Sequence, residues 1–271
     1  MKPFFLLALL ASPAAAAEVE LWRLDCGTIQ VNDLNAFSDT MAYSGQSKTL
    51  TDSCYLIRHD ADYLLWDTGL PAALLGAPQD PTAAMAPTLA RDLPDQLAEI
   101  GVAPDQITHV GISHYHFDHT GQAATFAKAT LVIGAADFAA LSADPLPPFA
   151  DPAPLAPWLK DGGAVTQVSG DLDLFGDGSV MVLSMPGHTP GETALLVRLA
   201  ETGPVLLSGD VVHFAEQIAH RGVPGFNWDR AETLASMERL EALTKNLKAV
   251  LVIQHDPADT AKLPAFPASA K

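Results

Sequence analysis

Apolar positions recur along the chain in two rhythms. Alternating or continuous apolar runs, bounded by Gly, Pro, Asn and Asp, predict strands over 19–24, 54–58, 62–66, 107–112, 130–133, 180–185, 193–199, 204–208 and 249–254. A 3.6-residue rhythm predicts helices around 88–100, 120–127, 135–142 and 229–245. In the last of these Asp229 stands as N-cap, and Leu234, Met237, Leu240 and Leu243 share one face. Strands and helices alternate throughout, which predicts an α/β or α+β class with helices covering sheets. Two Pro-rich stretches break the pattern, LPAALLGAPQDPTAAMAPTL at 70–89 and ADPLPPFADPAPLAPWL at 143–159. They read as surface loops, or as walls of a site, because their Leu, Met, Phe and Trp side chains are costly to leave in water.

With 48% hydrophobic residues among 271, the chain can bury an ample core in one or at most two domains. A formal net charge of −17 disfavours nucleic acid and anionic lipid as partners. The opening MKPFFLLALLASPAAAAEVE places Lys2 before a short apolar run and small residues at Ala15 and Ala17. That is the layout of a signal peptide over 1–17, ahead of a single domain over 18–271, and it predicts a periplasmic or secreted protein. The apolar run is shorter than the roughly 20 residues that span a bilayer. Cys26 and Cys54 lie in neighbouring predicted strands and either pair, as an oxidising compartment allows, or remain two buried thiols. Neither belongs to a CxxC pair, so thiolate ligation of a metal is excluded.

The chemistry concentrates in GISHYHFDHTGQ, positions 111–122, behind a buried strand. Residues two apart on extended backbone face the same side, so His114 and His116 can reach one cation, while Asp118 and His119 point elsewhere and can serve a second. Imidazole with carboxylate suits zinc, and cobalt, manganese or iron could use the same ligands. Three more candidates each follow a predicted strand: His188 in MPGHTPGE, Asp210 in LLSGDVVHF and His255 in VIQHDPAD. The carboxyl ends of strands gather along a sheet edge, where sites form. His188 and His255 complete two three-ligand sets, with Asp210 between them.

This succession resembles the metallo-β-lactamase superfamily: HxHxDH at His114, His116, Asp118 and His119, then His188, Asp210 and His255, with Asp67 in LLWDTG matching an early strand-to-Asp turn. SHYHFDHTGQ, MPGHTPGE, GDVVHFAEQ, IQHDPAD and LWRLDCGTIQVNDLNAFSDT are similar to the exported N-acyl homoserine lactonases. The resemblance implies an α+β fold, a four-layer αβ/βα sandwich. It implies two Zn2+ ions and a bridging hydroxide that opens the lactone of a quorum-sensing signal. His114, His116 and His188 would hold one ion, Asp118, His119 and His255 the other, and Asp210 would bridge. Asp118 would return the proton to the leaving alkoxide. Family members carry a tyrosine three residues after the bridging Asp; here that position is His213, which can also donate a hydrogen bond or a proton to the substrate.

Asp67 is expected to orient a ligand imidazole such as His116, or to cap its own turn, and Asp256 has the same two readings. His59, His109 and His220 are expected to be structural. Phe149, Trp158, Phe214, Phe226 and Trp228 are the expected walls for an apolar acyl chain. A homodimer remains open. The rival activities are organophosphate or aryl ester hydrolysis on the same site. A β-lactamase fits less well, because those enzymes generally lack the bridging carboxylate. The rival of another class is a periplasmic metal-binding protein without catalysis.

Overall fold

The structure is a computed structural model that describes residues 17–271; the segment 1–16, and with it nearly all of the expected signal peptide, lies outside the described residues. Twelve strands form two facing sheets among these residues. In chain order they are β1 (Val19–Val31), β2 (Lys48–His59), β3 (Asp62–Trp66), β4 (Met85–Thr88), β5 (His109–Ile112), β6 (Thr130–Gly134), β7 (Val165–Val168), β8 (Leu172–Asp173), β9 (Val180–Ser184), β10 (Thr193–Leu199), β11 (Gly203–Leu207) and β12 (Val250–Val252). The first sheet runs β4-β1-β2-β3-β5-β6-β7 and the second β12-β11-β10-β9-β8. The α-helices are α1 (Leu93–Glu99), α2 (Phe117–Thr120), α3 (Ala135–Ala140), α4 (Ala156–Leu159), α5 (Ala215–His220), α6 (Arg230–Leu247) and α7 (Pro257–Thr260).

Side-chain alternation builds the layers. On β2, Tyr55 and Ile57 face inward and meet Val182, Leu195, Val205 and Leu207 of the second sheet. Cys54 and Leu56 face outward, into a layer with Leu93 and Leu97 of α1, Phe126, Leu141 and Leu155. The far side of the second sheet is covered by α6, whose Met237 and Leu240 are fully buried against Leu183, Leu196 and Leu206. Leu234 and Leu243 flank them half-buried, and Asp229 caps the helix by accepting from the Glu232 N–H. The result is the αβ/βα sandwich in four layers. Among the described residues no helix is long and apolar enough to cross a membrane.

Two expectations shift. The rhythm over 88–100 divides into strand β4 and helix α1, which starts at Leu93 behind the Asp92 cap. Strand β4 falls inside a Pro-rich stretch and pairs only with β1, an edge position where Pro87 costs no internal ladder bond. The predicted helix at 120–127 resolves into α2 and a 3-10 turn over Ala123–Phe126. Cys26 and Cys54 form a disulfide, with Cα atoms 5.8 Å apart, across the β-bulge between Asp25 and Gly27.

Candidate metal centre

Strand β5 delivers Ser113 and His114 to the rim of the first sheet, and α2 turns back so that Asp118 and His119 reach the same rim. The second sheet supplies the rest: His188 from the β9–β10 turn, Asp210 after β11 and His255 after β12. Three ring nitrogens converge, with His114 Nε2 and His188 Nε2 each 2.9 Å from His116 Nδ1 and 3.2 Å from each other. Nearby, His119 Nε2 lies 3.3 Å from His255 Nε2, and Asp118 Oδ2 is 3.9 Å from His255 Nε2. Asp210 stands between the two groups. Its Oδ2 is 3.5 Å from His188 Nε2 and 3.7 Å from His114 Nε2, while its Oδ1 is 3.0 Å from His255 Nε2 and 3.5 Å from His119 Nε2.

The outward nitrogens are held by oxygen atoms. His119 Nδ1 donates to Asp67 Oδ2 at 3.0 Å, His188 Nδ1 to Asn227 Oδ1 at 2.8 Å and His255 Nδ1 to Thr51 O at 2.7 Å. Each inner nitrogen is thereby aimed at the centre. Despite its short approach to His255, Asp210 Oδ1 has no hydrogen-bond partner, and Glu192 Oε2 is likewise unpartnered although His114 Nδ1 is 3.2 Å away. A buried cluster of inward imidazole nitrogens around an orphaned carboxylate oxygen fits cations.

The electrostatics agree. Burial pushes His114 and His116 well below the ordinary imidazole range and His188 down to about 3, leaving neutral ligands. At His255 burial lowers the pKa, but the Asp210 carboxylate outweighs it and lifts the ring to about 9. His119 is raised well above its usual value against the same burial, by Asp210, Asp67 and Asp118. A cation entering this half of the site must displace those protons.

Asp67 lies in left-handed backbone at φ 58° beyond β3, and its carboxylate also accepts from Ser113 N at 2.7 Å and from Gln254 Nε2 at 2.7 Å. It orients His119, and not His116 as expected, because the left-handed turn carries its carboxyl under α2. Asp256 caps α7 and accepts from Ala215 N, a structural role. His59 pairs with Asp177 and stacks on Phe175, His109 bonds Thr108 and His220 faces Tyr43.

An apolar cleft opens onto the cluster, walled by Ile29, Phe37, Leu50, Met85, Phe117, Phe149 and Phe226, with His213 at its floor beside Asp210. Of the expected walls, Phe149 and Phe226 are there and three are not. Trp158 is 3% exposed in the helical layer, where its indole donates to Ala129 O. Phe214 follows His213 on extended backbone and so points away from the cleft, against Tyr43 and Phe37. Trp228 turns to solvent, 63% exposed, and contributes only its N–H, which donates to His188 O.

Several supporting residues carry no pattern of their own in the sequence. Glu192 accepts from Asp210 N at 2.9 Å and fills the space beside Gly209, where a Cβ would lie 2.3 Å from Glu192 Oε1; Gly209 also needs φ 55°. Gln254 Oε1 accepts from Gly209 N. The nearest signal is adjacency to ligands: Glu192 follows HTPG, and Gln254 precedes His255.

Layered sheets with two imidazole groups sharing one carboxylate define a metal-dependent hydrolase. Residues 49–255 match the sequence model of the Metallo-beta-lactamase superfamily, and the chain belongs to that superfamily. It is 25% identical over 274 residues to the N-acyl homoserine lactonase AttM of Rhizobium radiobacter, covering 92% of this chain and 98% of that one. Its match to AttM of Azorhizobium caulinodans is 27% identical over 178 residues, 60% of this chain and 63% of that protein. Among solved structures, AidC, a dizinc quorum-quenching lactonase in complex with a homoserine product, superposes with TM-score 0.70 at 18% identity, over 94% of this chain and 91% of that one.

Proposed function

We propose that this protein is a dizinc N-acyl homoserine lactonase. The observation that carries the reading is an apolar cleft ending on a carboxylate-bridged pair of histidine clusters. The named lactonase relatives support the choice of substrate. His114, His116 and His188 would hold one zinc, Asp118, His119 and His255 the other, and Asp210 both. Two bound zinc ions would supply a water that ionises near neutral pH and would polarise the lactone carbonyl.

The chain's residues do the rest. Asn227, Asp67 and Thr51 lock the rings of His188, His119 and His255 with their inner nitrogens free. Phe149, Phe226, Phe117 and Leu50 exclude water and seat the acyl chain beside the cluster. Asp118, at the cleft wall, would take the proton released by the attacking water and pass it to the alkoxide left when the ring opens. An exported enzyme is part of this reading, supported by the Cys26–Cys54 disulfide, since such bonds persist in oxidising compartments.

The test is hydrolysis of an acyl homoserine lactone series by purified zinc-loaded protein, with paraoxon and nitrocefin as comparisons. Lactones should be turned over with the highest kcat/KM, and chelation or His116→Ala should abolish turnover. Full lactonase activity in metal-free protein, or a clear preference for paraoxon, overturns the assignment.

A further inference from the structure

One ring at the centre remains unassigned. His213 is 3% exposed and lies three residues after Asp210. Its backbone N–H donates to Gln217 Oε1 at 2.6 Å, and its Nδ1 meets the same oxygen at 3.2 Å. The far end of that amide is fixed, because Gln217 Nε2 donates to Phe37 O at 3.1 Å and a carbonyl can only accept. Gln217 therefore presents its oxygen to His213, so Nδ1 donates to it and Nε2 is the nitrogen turned inward. This is the arrangement of His188, His119 and His255, each with Nδ1–H held by an oxygen and Nε2 turned inward. An outward N–H tied to an oxygen is the usual mark of a metal-bound imidazole.

The inward Nε2 of His213 lies 3.2 Å from Asp210 Oδ2, and His188 Nε2 lies 3.5 Å from that same oxygen. A ring nitrogen and a carboxylate oxygen this close in a buried site need a positive centre between them, either a ring proton or a shared metal ion. The inner ligand atoms of His188, Asp210 and His213 all lie within 4.8 Å of one another. Ligands about 2.1 Å from one ion stand roughly 3–4.2 Å apart, and the 3.2 and 3.5 Å separations from Asp210 Oδ2 fall in that range.

We propose that His213 is a metal ligand, the fourth imidazole on the ion held by His114, His116 and His188. The inference rests on the dimetal reading given above and extends it. With Asp210, that ion then has five protein ligands instead of four, and one fewer position for water or substrate than the other ion. Where the resemblance places a tyrosine hydroxyl that touches substrate, this chain places a group that touches metal. The residue acts by setting coordination number and affinity at one of the two ions.

The direct test counts ligands without any substitution. In 113Cd-loaded, 15N-histidine-labelled protein, the reading predicts six imidazole nitrogens coupled to cadmium: those of His114, His116, His119, His188, His213 and His255. Five, with His213 uncoupled, overturns it. In a second arm, metal-depleted protein and its His213→Tyr and His213→Gly variants are titrated with Co2+ under chelator competition. Both variants should still bind two ions, with affinity for one lowered about 10–100-fold and a more intense visible band from that lower-coordinate ion. Free imidazole should return the His213→Gly spectrum to that of the parent. Superimposable spectra and affinities in parent and variants overturn the proposal. Neither arm uses substrate, so failure to hydrolyse lactones would remove the proposed activity and leave this assignment standing, whereas lactone turnover with five coupled nitrogens would do the reverse.

Discussion

Asp67→Asn isolates what a single carboxylate does for the metal centre. Asp67 is fully buried, and its two oxygens accept three hydrogen bonds, from Ser113 N, His119 Nδ1 and Gln254 Nε2. Asparagine has nearly the same volume and tolerates the left-handed backbone at φ 58°, so shape and strain stay constant. The amide has one oxygen. Turned toward His119 and Gln254, it keeps two bonds and sets its NH2 against the Ser113 N–H; turned the other way, it loses two. The better orientation thus leaves one buried backbone donor unsatisfied, a loss of about 1–3 kcal/mol. His119 then donates to a neutral oxygen, which makes its inner nitrogen a weaker ligand, and the ion beside Asp118 and His255 should bind about tenfold less tightly. The ion on His114, His116 and His188 serves as internal control, since none of those rings touches Asp67. Denaturant unfolding of metal-free protein reads the first effect, and chelator competition reads the second. A variant with parental stability and two parental affinities would refute the claim that Asp67 positions His119.

Phe149→Ala should raise KM about three- to tenfold for long-chain lactones and leave kcat within about twofold, because Phe149 packs edge-on to His116 at 5.6 Å and to Phe226 at 5.7 Å without reaching the reacting atoms; a KM indifferent to chain length would remove it from the binding wall. Replacing Cys26 and Cys54 together by Ala should lower stability by about 3–4 kcal/mol, the closure entropy for their separation of 28 residues, measured by denaturant midpoint; an unchanged midpoint contradicts this. Asp137 accepts from Thr189 Oγ1 and Gly191 N, yet burial pushes its carboxyl up to about 7. A raised pKa favours the protonated form in the fold, so its contribution is complete below the ordinary carboxylate range and is lost as pH rises through about 7, up to about 4 kcal/mol in all. Stability of Asp137→Asn should therefore fall less than that of the parent over that window, and parallel curves would sink the argument.

The ligands are legible in the sequence because each lies just past an apolar strand, and strand ends are easy to place. Strand β10 and the cap and buried face of α6 are legible for a similar reason: their patterns are long and uninterrupted. What escapes is what depends on contacts between distant segments. Gln217 matters only because Phe37 O fixes its amide, and Asn227 only because the Thr233 hydroxyl accepts from its side chain. Phe37 and Leu50 line the cleft from a 3-10 turn and strand β2 whose local patterns suggest nothing but core. Trp158 and Trp228 mislead in opposite senses, one buried by the helical layer and the other left in water, since hydrophobicity alone does not say which way a loop side chain turns.

The centre draws His114, His116, Asp118 and His119 from one sheet and His188, Asp210 and His255 from the other. Bound ions would therefore act as rivets between two halves that otherwise meet through an apolar interface. Neither half alone holds a complete ligand set, so metal capture has to follow docking of the sheets, and loading should raise the unfolding temperature as metal concentration rises. A substitution that loosens the apolar interface at a residue that is not itself a ligand, Leu195 or Val205 for instance, should then show first as leakage of metal and only afterwards as loss of the fold.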